Sequence, residues 1–172
     1  VKLLKGCTSC QKHNITKRGF QPLRPIYSYI PGDHWAIDLA ELPMSANGYK
    51  YLLVMVDICT RFCILRCMND KRATTMAKHL VQVFSDFGYP SKISNDNGSE
   101  NANIIMQTLC ETMNIDQRLI TSYNAASNGS AERFVQSSKL AIAKAVEGAG
   151  HEWDLYVPGV QLALNNKVSK RL

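Results

Sequence analysis

Apolar and polar positions repeat along this chain with two different periods, and the switch between them marks out its elements. His34-Trp35-Ala36-Ile37-Asp38-Leu39-Ala40 predicts a first strand, with one acid set into an otherwise buried pattern. Pro43 to Gly48 is turn material, after which Lys50 to Thr60 predicts a long apolar strand and Arg61 to Met68 a third. Connections this short imply antiparallel pairing among the three. The period then becomes helical: Ala73, Met76/Ala77, Leu80/Val81, Phe84 and Phe87 share a face, and Gly88-Tyr89-Pro90 ends the run. Ser91 to Asn95 is a short strand leading into Asp96-Asn97-Gly98. A second helix is expected from about Glu100 to Met113, and a fifth strand from Asp116 to Ser122. Tyr123 to Asn128 reads as loop and Gly129 to Glu147 as a long helix. His151 to Val168 predicts another, with Pro158 tolerated only as a kink or break. Three consecutive strands followed by β-α-β-α units is an α/β plan: a five-stranded mixed sheet flanked by helices.

Composition fits that plan. The 172 residues, 45% hydrophobic and 20% charged, suffice for one core with short appendages. The longest apolar run begins at Tyr51 and stops at Asp57, far short of the roughly 18 residues a spanning helix needs. A membrane protein and a disordered chain are both excluded. No apolar segment of a signal peptide follows the basic start. The chain starts at Val1 and ends without a stop signal at Leu172, so it reads as a fragment of something longer.

Charge divides the chain further. Lys2, Lys5, Lys12, Lys17, Arg18 and Arg24 precede the first acid, Asp33, whereas residues 25–166 carry a net charge of −3. Residues 1–32, polar and broken by Pro22, Pro25 and Pro31-Gly32, therefore form a basic N-terminal arm or linker, and 33–172 the folded body. A basic arm suits phosphate contact through counterion release; a solvated linker that happens to be basic fits the composition equally well.

The six cysteines fall into two groups. Cys59, Cys63, Cys67 and Cys110 lie in or beside apolar stretches and read as small buried hydrophobes. Cys7-Thr8-Ser9-Cys10 sits in the basic segment and supplies half of a tetrahedral zinc site, with His13 a third donor and no fourth in view.

Three acids stand apart. Asp38 lies inside a strand, where an unpaired carboxylate is expensive to bury. Asp96 lies at the C-terminal tip of the fourth strand, where open α/β sheets present functional groups. Glu132 falls in the first turn of the long helix. Brought together, they would hold protons or a hard cation. Taken separately, Asp96 is a turn former, Glu132 a favourable charge at a helix N-terminus, and only Asp38 stays unexplained.

The residue strings add to this. His34-Trp35-Ala36-Ile37-Asp38, Val56-Asp57-Ile58-Cys59-Thr60-Arg61-Phe62, Asn95-Asp96-Asn97-Gly98-Ser99-Glu100 and Asn128-Gly129-Ser130-Ala131-Glu132-Arg133 resemble the integrase catalytic core of retroviruses and LTR retrotransposons. Thirty-five residues separate Asp96 from Glu132, matching that family's D,D-35-E spacing, and the strings run in its order over nearly the whole chain. Cys7 and Cys10 look like the tail of the family's His-His-Cys-Cys zinc domain, whose histidine half would precede Val1.

The resemblance implies an RNase H-like fold and a metal-dependent polynucleotidyl transferase, part of a processed polyprotein. It implies two Mg²⁺ (or Mn²⁺) ions: Asp38 bridging both, Asp96 completing one site and Glu132 the other. It further implies trimming of the 3′ ends of element DNA, transesterification into a target duplex, a homo-multimer, and action in the host nucleus where the host is eukaryotic. Zn²⁺ would belong to the full-length protein. On the long helix, Gln136 and Lys139 share a face with Glu132, where family members contact DNA; a solvated polar stripe is the alternative. Lys12, Lys17 and Arg18 of the arm are further candidates for DNA contact. Asp57 reads as a strand-end cap, His34 and Trp35 as core and supporting residues, His79 and His151 as surface histidines, and Met76, Met106 and Met113 as core filling. Two positions depart from the family pattern: Asn124-Ala125 follow Tyr123 in place of His-Pro, and Asn101 replaces an aromatic after Glu100. Neither change removes a metal ligand. The competing readings are a host-adopted or degraded integrase-derived domain that binds DNA or protein without catalysis, and an RNase H-type nuclease.

Overall fold

The computed structural model describes residues 28–96, 100–120, 136–144 and 150–166. Strand β1 (His34–Glu41) pairs antiparallel with β2 (Tyr51–Asp57), which pairs antiparallel with β3 (Cys63–Met68). Helix α1 (Ala73–Phe87) leads to β4 (Lys92–Asp96), and α2 (Glu100–Thr112) to β5 (Asp116–Ile120). Both β4 and β5 run parallel to β1, giving the order β3-β2-β1-β4-β5. Residues 136–144 form α3, and a single 3-10 turn, Gly150–Glu152, opens α4 (Trp153–Asn165). This is the expected five-stranded mixed sheet with flanking helices.

Alternation along the strands sends side chains to two faces. Trp35 and Ile37 of β1 join Leu53, Met55, Ile64, Met68 and Ile93 beneath Leu80, Val83 and Phe84 of α1 and Met106 and Cys110 of α2. Ala40, Leu52, Val54, Val56, Cys63 and Leu65 face the other way, against Ile142 of α3 and Trp153, Val157 and Val160 of α4. The methionines fill the core as expected: Met106 is buried, and Met76 and Met113 pack against the same cluster.

The second and third strands are shorter than the hydrophobic pattern predicts, because Asp57 stops β2. Its carboxylate accepts hydrogen bonds from Cys59 N (3.2 Å), Thr60 N (3.1 Å) and Thr60 Oγ1 (2.6 Å), and Arg61 adopts φ 70°. The chain therefore turns over residues 58–61 instead of continuing as strand, and Asp57 is the strand-end cap that was expected. The helix through Pro158 is not broken: α4 runs unbroken from Trp153 to Asn165, and Pro158 is exposed.

Polar bonds pin α4 at both ends. Near its start, Trp153 Nε1 donates to Pro43 O (2.7 Å), Asn47 Nδ2 donates to Asp154 Oδ2 (2.8 Å), and Ala46 N donates to His151 O (2.7 Å). Near its end, Asn165 Oδ1 accepts from Cys63 N (2.8 Å) while its Nδ2 donates to Cys63 O (2.9 Å). Gln161 Oε1 accepts from Leu65 N (2.8 Å). These carboxamides occupy the hydrogen-bonding edge of β3, which would otherwise be open to a further strand.

Candidate active site

Asp38 sits in the middle of β1, half-buried, on the face that carries α3 and α4. Its neighbours on that face are Ala36 and Ala40, 1% and 2% exposed, so no bulky side chain from β1 crowds the carboxylate. Asp38 Oδ1 accepts a hydrogen bond from Leu39 N at 2.8 Å. Across the sheet Asp38 pairs with Val54 of β2. On its other side, β4 runs parallel in a register that pairs Ile37 with Asn95. Asp38 and Asp96 are the next residues on their two strands, so the topology carries two of the three predicted acids to adjacent backbone positions.

Glu132 lies outside the described residues, as do Cys7, Cys10 and His13 of the half zinc site and Lys12, Lys17 and Arg18 of the arm. Among the described residues, no three His, Cys, Asp or Glu side chains cluster in a way that would hold a metal ion. Asp38 brings a hard oxygen donor, partly withdrawn from water, which matches a hard divalent cation such as Mg²⁺. Among the described residues no helix is long and apolar enough to cross a membrane.

His34 and Trp35 support the strand that carries Asp38. His34 is buried, and its Nε2 shares a 2.7 Å hydrogen bond with Ser94 Oγ, tying β1 to β4 two residues before Asp96. Burial, and then the positive charges of Arg118 and Lys92, lower the His34 pKa from its ordinary value. Trp35 Nε1 donates to Gly32 O at 3.0 Å, fixing the turn that opens β1.

The histidine expectation needs one correction. His151 is exposed, but His79 on α1 is half-buried, its Nδ1 is buried without a hydrogen-bond partner, and burial lowers its pKa. Helical spacing places His79 beside Leu80 at the margin of the inward face, where periodicity alone does not separate surface from core. The cysteine expectation holds for Cys63 and Cys110, which are buried free thiols pushed up to about 11 by desolvation; Cys67, half-buried, is also pushed up to about 11 by desolvation.

On α3, Gln136 is exposed and Lys139 half-buried. Lys139 lines a cavity with Leu42, Pro43, Ile142, Ala143 and Trp153, close to the end of β1. The hairpin there brings Lys50 Nζ within 2.8 Å of Glu41 Oε1. Sequence reasoning did not single out this pair. Lys50 and Glu41 stand nine positions apart in an otherwise ordinary hairpin, and only the register shows that they meet.

Comparison with known proteins agrees with this geometry. Residues 28–125 match the family model described as the integrase core domain, a span that holds Asp38 and Asp96. Over 129 residues, 74% of the chain is 33% identical to the Gag-Pol polyprotein of avian reticuloendotheliosis virus, covering 11% of that protein. The Gag-Pol polyprotein of feline leukemia virus is 28% identical over 96% of the chain and 10% of its own length. The Pol polyprotein of radiation murine leukemia virus (strain Kaplan) is 30% identical over 89% of the chain and 27% of its own length. The chain thus spans between a tenth and about a quarter of these relatives. Among solved structures, the simian T-cell lymphotropic virus intasome in complex with the PP2A regulatory subunit B56 gamma superposes with a TM-score of 0.81. That match has 21% identity and covers 98% of this chain and 61% of the other. The HTLV-2 integrase catalytic core domain in complex with magnesium, in its dimeric form, gives a TM-score of 0.68 at 20% identity, covering 84% of this chain and 94% of the other. The fold is the RNase H-like fold of integrase cores, and the chain belongs to the integrase core domain family.

Proposed function

We propose that this chain is the catalytic core of a DNA-integrating polynucleotidyl transferase, cut from a longer polyprotein as its relatives' names suggest. Its substrates are double-stranded element ends and a target duplex; its reactions are 3′-end processing and strand transfer by transesterification. The observation that carries this reading is the half-buried Asp38, set between two alanines one step past the Ile37–Asn95 pair, in a chain of the integrase core family.

Asp38, Asp96 and Glu132 would hold two Mg²⁺ (or Mn²⁺) ions. When bound, such ions activate the attacking water or 3′-hydroxyl and stabilise the leaving 3′-oxygen. The chain's own residues supply the platform. The Leu39 N–H orients one oxygen of Asp38, and the His34–Ser94 bond ties β1 to β4. Buried, with a pKa lowered by that burial, and bonded to Ser94, His34 braces the two strands. No protein nucleophile is required.

Basic residues would compensate an acidic body that must meet a polyanion: Lys12, Lys17 and Arg18 from residues 1–32 and Lys139 from α3 contact the DNA backbone, and Gln136 beside Lys139 adds a neutral hydrogen-bonding contact. Residues 33–172 form the core in this reading, and Cys7 and Cys10 complete a Zn²⁺ site with ligands that precede Val1. The working form is a homo-multimer acting in a host nucleus.

The test is Mg²⁺-dependent strand transfer with a duplex carrying element ends. Parent protein should join it to target DNA, and Asp38→Asn, Asp96→Asn and Glu132→Gln should each reduce joining to background while circular dichroism stays unchanged. Joining that persists in folded amide variants would overturn the reading.

A further inference from the structure

We propose that Gln117 of the edge strand β5 is a positioning residue of the metal site, fixing Asp96 relative to Asp38 by holding Asn95 from the far face of the sheet. The proposal rests on the integrase reading above and gives a role to a residue which that reading leaves unused.

The register of β4 shows where such a device is needed. Its pairing with β1 runs from His34–Lys92 to Ile37–Asn95, so both acids follow where that ladder ends. On its other side β4 stays paired with β5 as far as Asp96 and Ile120. Two side-chain bonds lace the strand just before the acid. His34, opposite Lys92, reaches two positions along β4 to Ser94 Oγ at 2.7 Å. Gln117, opposite Ile93, likewise reaches two positions along and donates from Nε2 to Asn95 Oδ1 at 3.1 Å. Consecutive strand residues face opposite ways, so the two bonds lie on opposite sides of the sheet. Ser94 shares the face of Asp38 and Ala36; Asn95 and Gln117 share that of Ile37 and Ile93, toward α1 and α2. Both carboxamides are half-buried there.

A strand end tied on both faces, to a different neighbour on each, cannot roll about its own axis without changing the length of both bonds. Rolling is the motion that would turn the backbone carrying Asp96. Neighbouring carboxylates repel one another until a cation sits between them, so the metal-free site carries a standing force toward such motion. A ligand set already in place binds its cation more tightly than one the cation has to order. The bond from Gln117 therefore acts on metal affinity. From the far face Gln117 cannot itself ligate a cation held beside Asp38, so its effect must pass through Asn95.

The experiment titrates the full chain with Mg²⁺ in the absence of DNA, following the NMR shift of the Leu39 amide that bonds Asp38, alongside Mg²⁺-dependent strand transfer. Gln117→Met, similar in size but without a donor, should raise the half-saturating Mg²⁺ concentration by about three- to tenfold. Its strand transfer should recover toward the parent's rate when Mg²⁺ is raised by the same factor. Adding Gln117→Met to Asn95→Leu should shift the midpoint no further than Asn95→Leu alone, since the bond is already cut. Asn165→Ala, which cuts two bonds at the edge of β3, should lower the melting temperature yet keep the parent's midpoint. Circular dichroism checks folding; should Gln117→Met fail to fold, Gln117→Asn, too short to reach Asn95, carries the same expectation. A midpoint unchanged in the folded variant, or a double variant in which the two shifts add, would overturn the assignment. If the parent joins strands and Gln117→Met titrates like it, the positioning role alone falls. If the parent neither responds to Mg²⁺ at Leu39 nor joins strands, the integrase reading falls, and the role of Gln117 with it.

Discussion

The two faces of the central sheet are built for different tasks. Toward α1 and α2, the strands present Trp35, Ile37, Leu53, Met55, Ile64, Met68 and Ile93, all buried and all apolar. Toward α3 and α4, β2 and β3 are just as apolar, but β1 and β4 offer His34, Ala36, Asp38, Ala40 and Ser94. Buried polar atoms without partners also lie on that side: Ser138 Oγ on α3 and Asp154 Oδ1 on α4. His79, at the margin of α1, is the counterpart on the first face. A face whose buried strand side chains are all apolar supplies stability through packing. A face that gives up apolar area around one carboxylate gains a place for chemistry, and must recover its fixity from hydrogen bonds.

Two substitutions break this comparison most sharply. Asp38→Asn should eliminate Mg²⁺-dependent strand transfer while the metal-free melting temperature holds or rises slightly, since removing one of several like charges relieves repulsion. Leu80→Ala, on the fully buried apolar face, should do the reverse. It should cost about 2–5 kcal/mol, with a fall of roughly 2–4 °C in melting temperature per kcal/mol, and leave residual activity in whatever fraction stays folded. Thermal melts and strand-transfer assays on both variants check the pair. An Asp38→Asn protein as unstable as Leu80→Ala would mean that the acid belongs to the scaffold.

Much of this division was legible along the chain because it is written in local periods. The three-strand opening, the switch to helical spacing at Ala73 and the acid inside the first strand all follow from alternation. The limits of β2 and β3 were missed because Asp57 acts through its side chain, folding Cys59 and Thr60 back onto itself where the hydrophobic pattern runs on. Adjacency of Asp38 and Asp96 could only be supposed until the β1–β4 register set it. Contacts between distant segments left no trace in the pattern: the seal of Gln161 and Asn165 on β3 and the Asn47–Asp154 bond. Of the two ways a helix can carry Pro158, a break is excluded, and bonds at both ends hold α4 in place.

That seal provides a smaller test of how the polar face is fixed. Asn165→Ala removes two hydrogen bonds to Cys63 from the edge of β3, leaving a backbone N–H and C=O to find water instead. It should cost about 1–3 kcal/mol. The Cys63 amide should exchange its hydrogen faster while the Met55 amide, inside the sheet, keeps its protection. Hydrogen exchange resolved by residue reads both. Equal protection at Cys63 in parent and variant would show that burial under α4, and not the carboxamide, closes the edge.

The smallest expected effect is a dependence on pH, to which both faces contribute through a histidine. Burial lowers the pKa of His34, reinforced by Arg118 and Lys92 and opposed by Asp33 and Asp116; burial and then Arg66 lower that of His79. A histidine whose pKa is lower in the folded than in the unfolded chain binds fewer protons when folded. Its contribution is therefore complete above the unfolded value of 6.5 and is lost as pH falls from there through the folded value. The carboxyl groups of Asp33, Glu41 and Asp70 are shifted downward, so they titrate below this window and leave it to the histidines. Melting temperature should fall between about pH 7.5 and about pH 5.5. His79→Leu should shrink that fall, because the buried Nδ1 has no partner to accept its proton. His34→Gln should shrink it less, since Ser94 Oγ can turn a lone pair toward a protonated Nε2 and already eases the charge. A drop of the same size in the parent and in both variants would place the acid sensitivity elsewhere in the molecule.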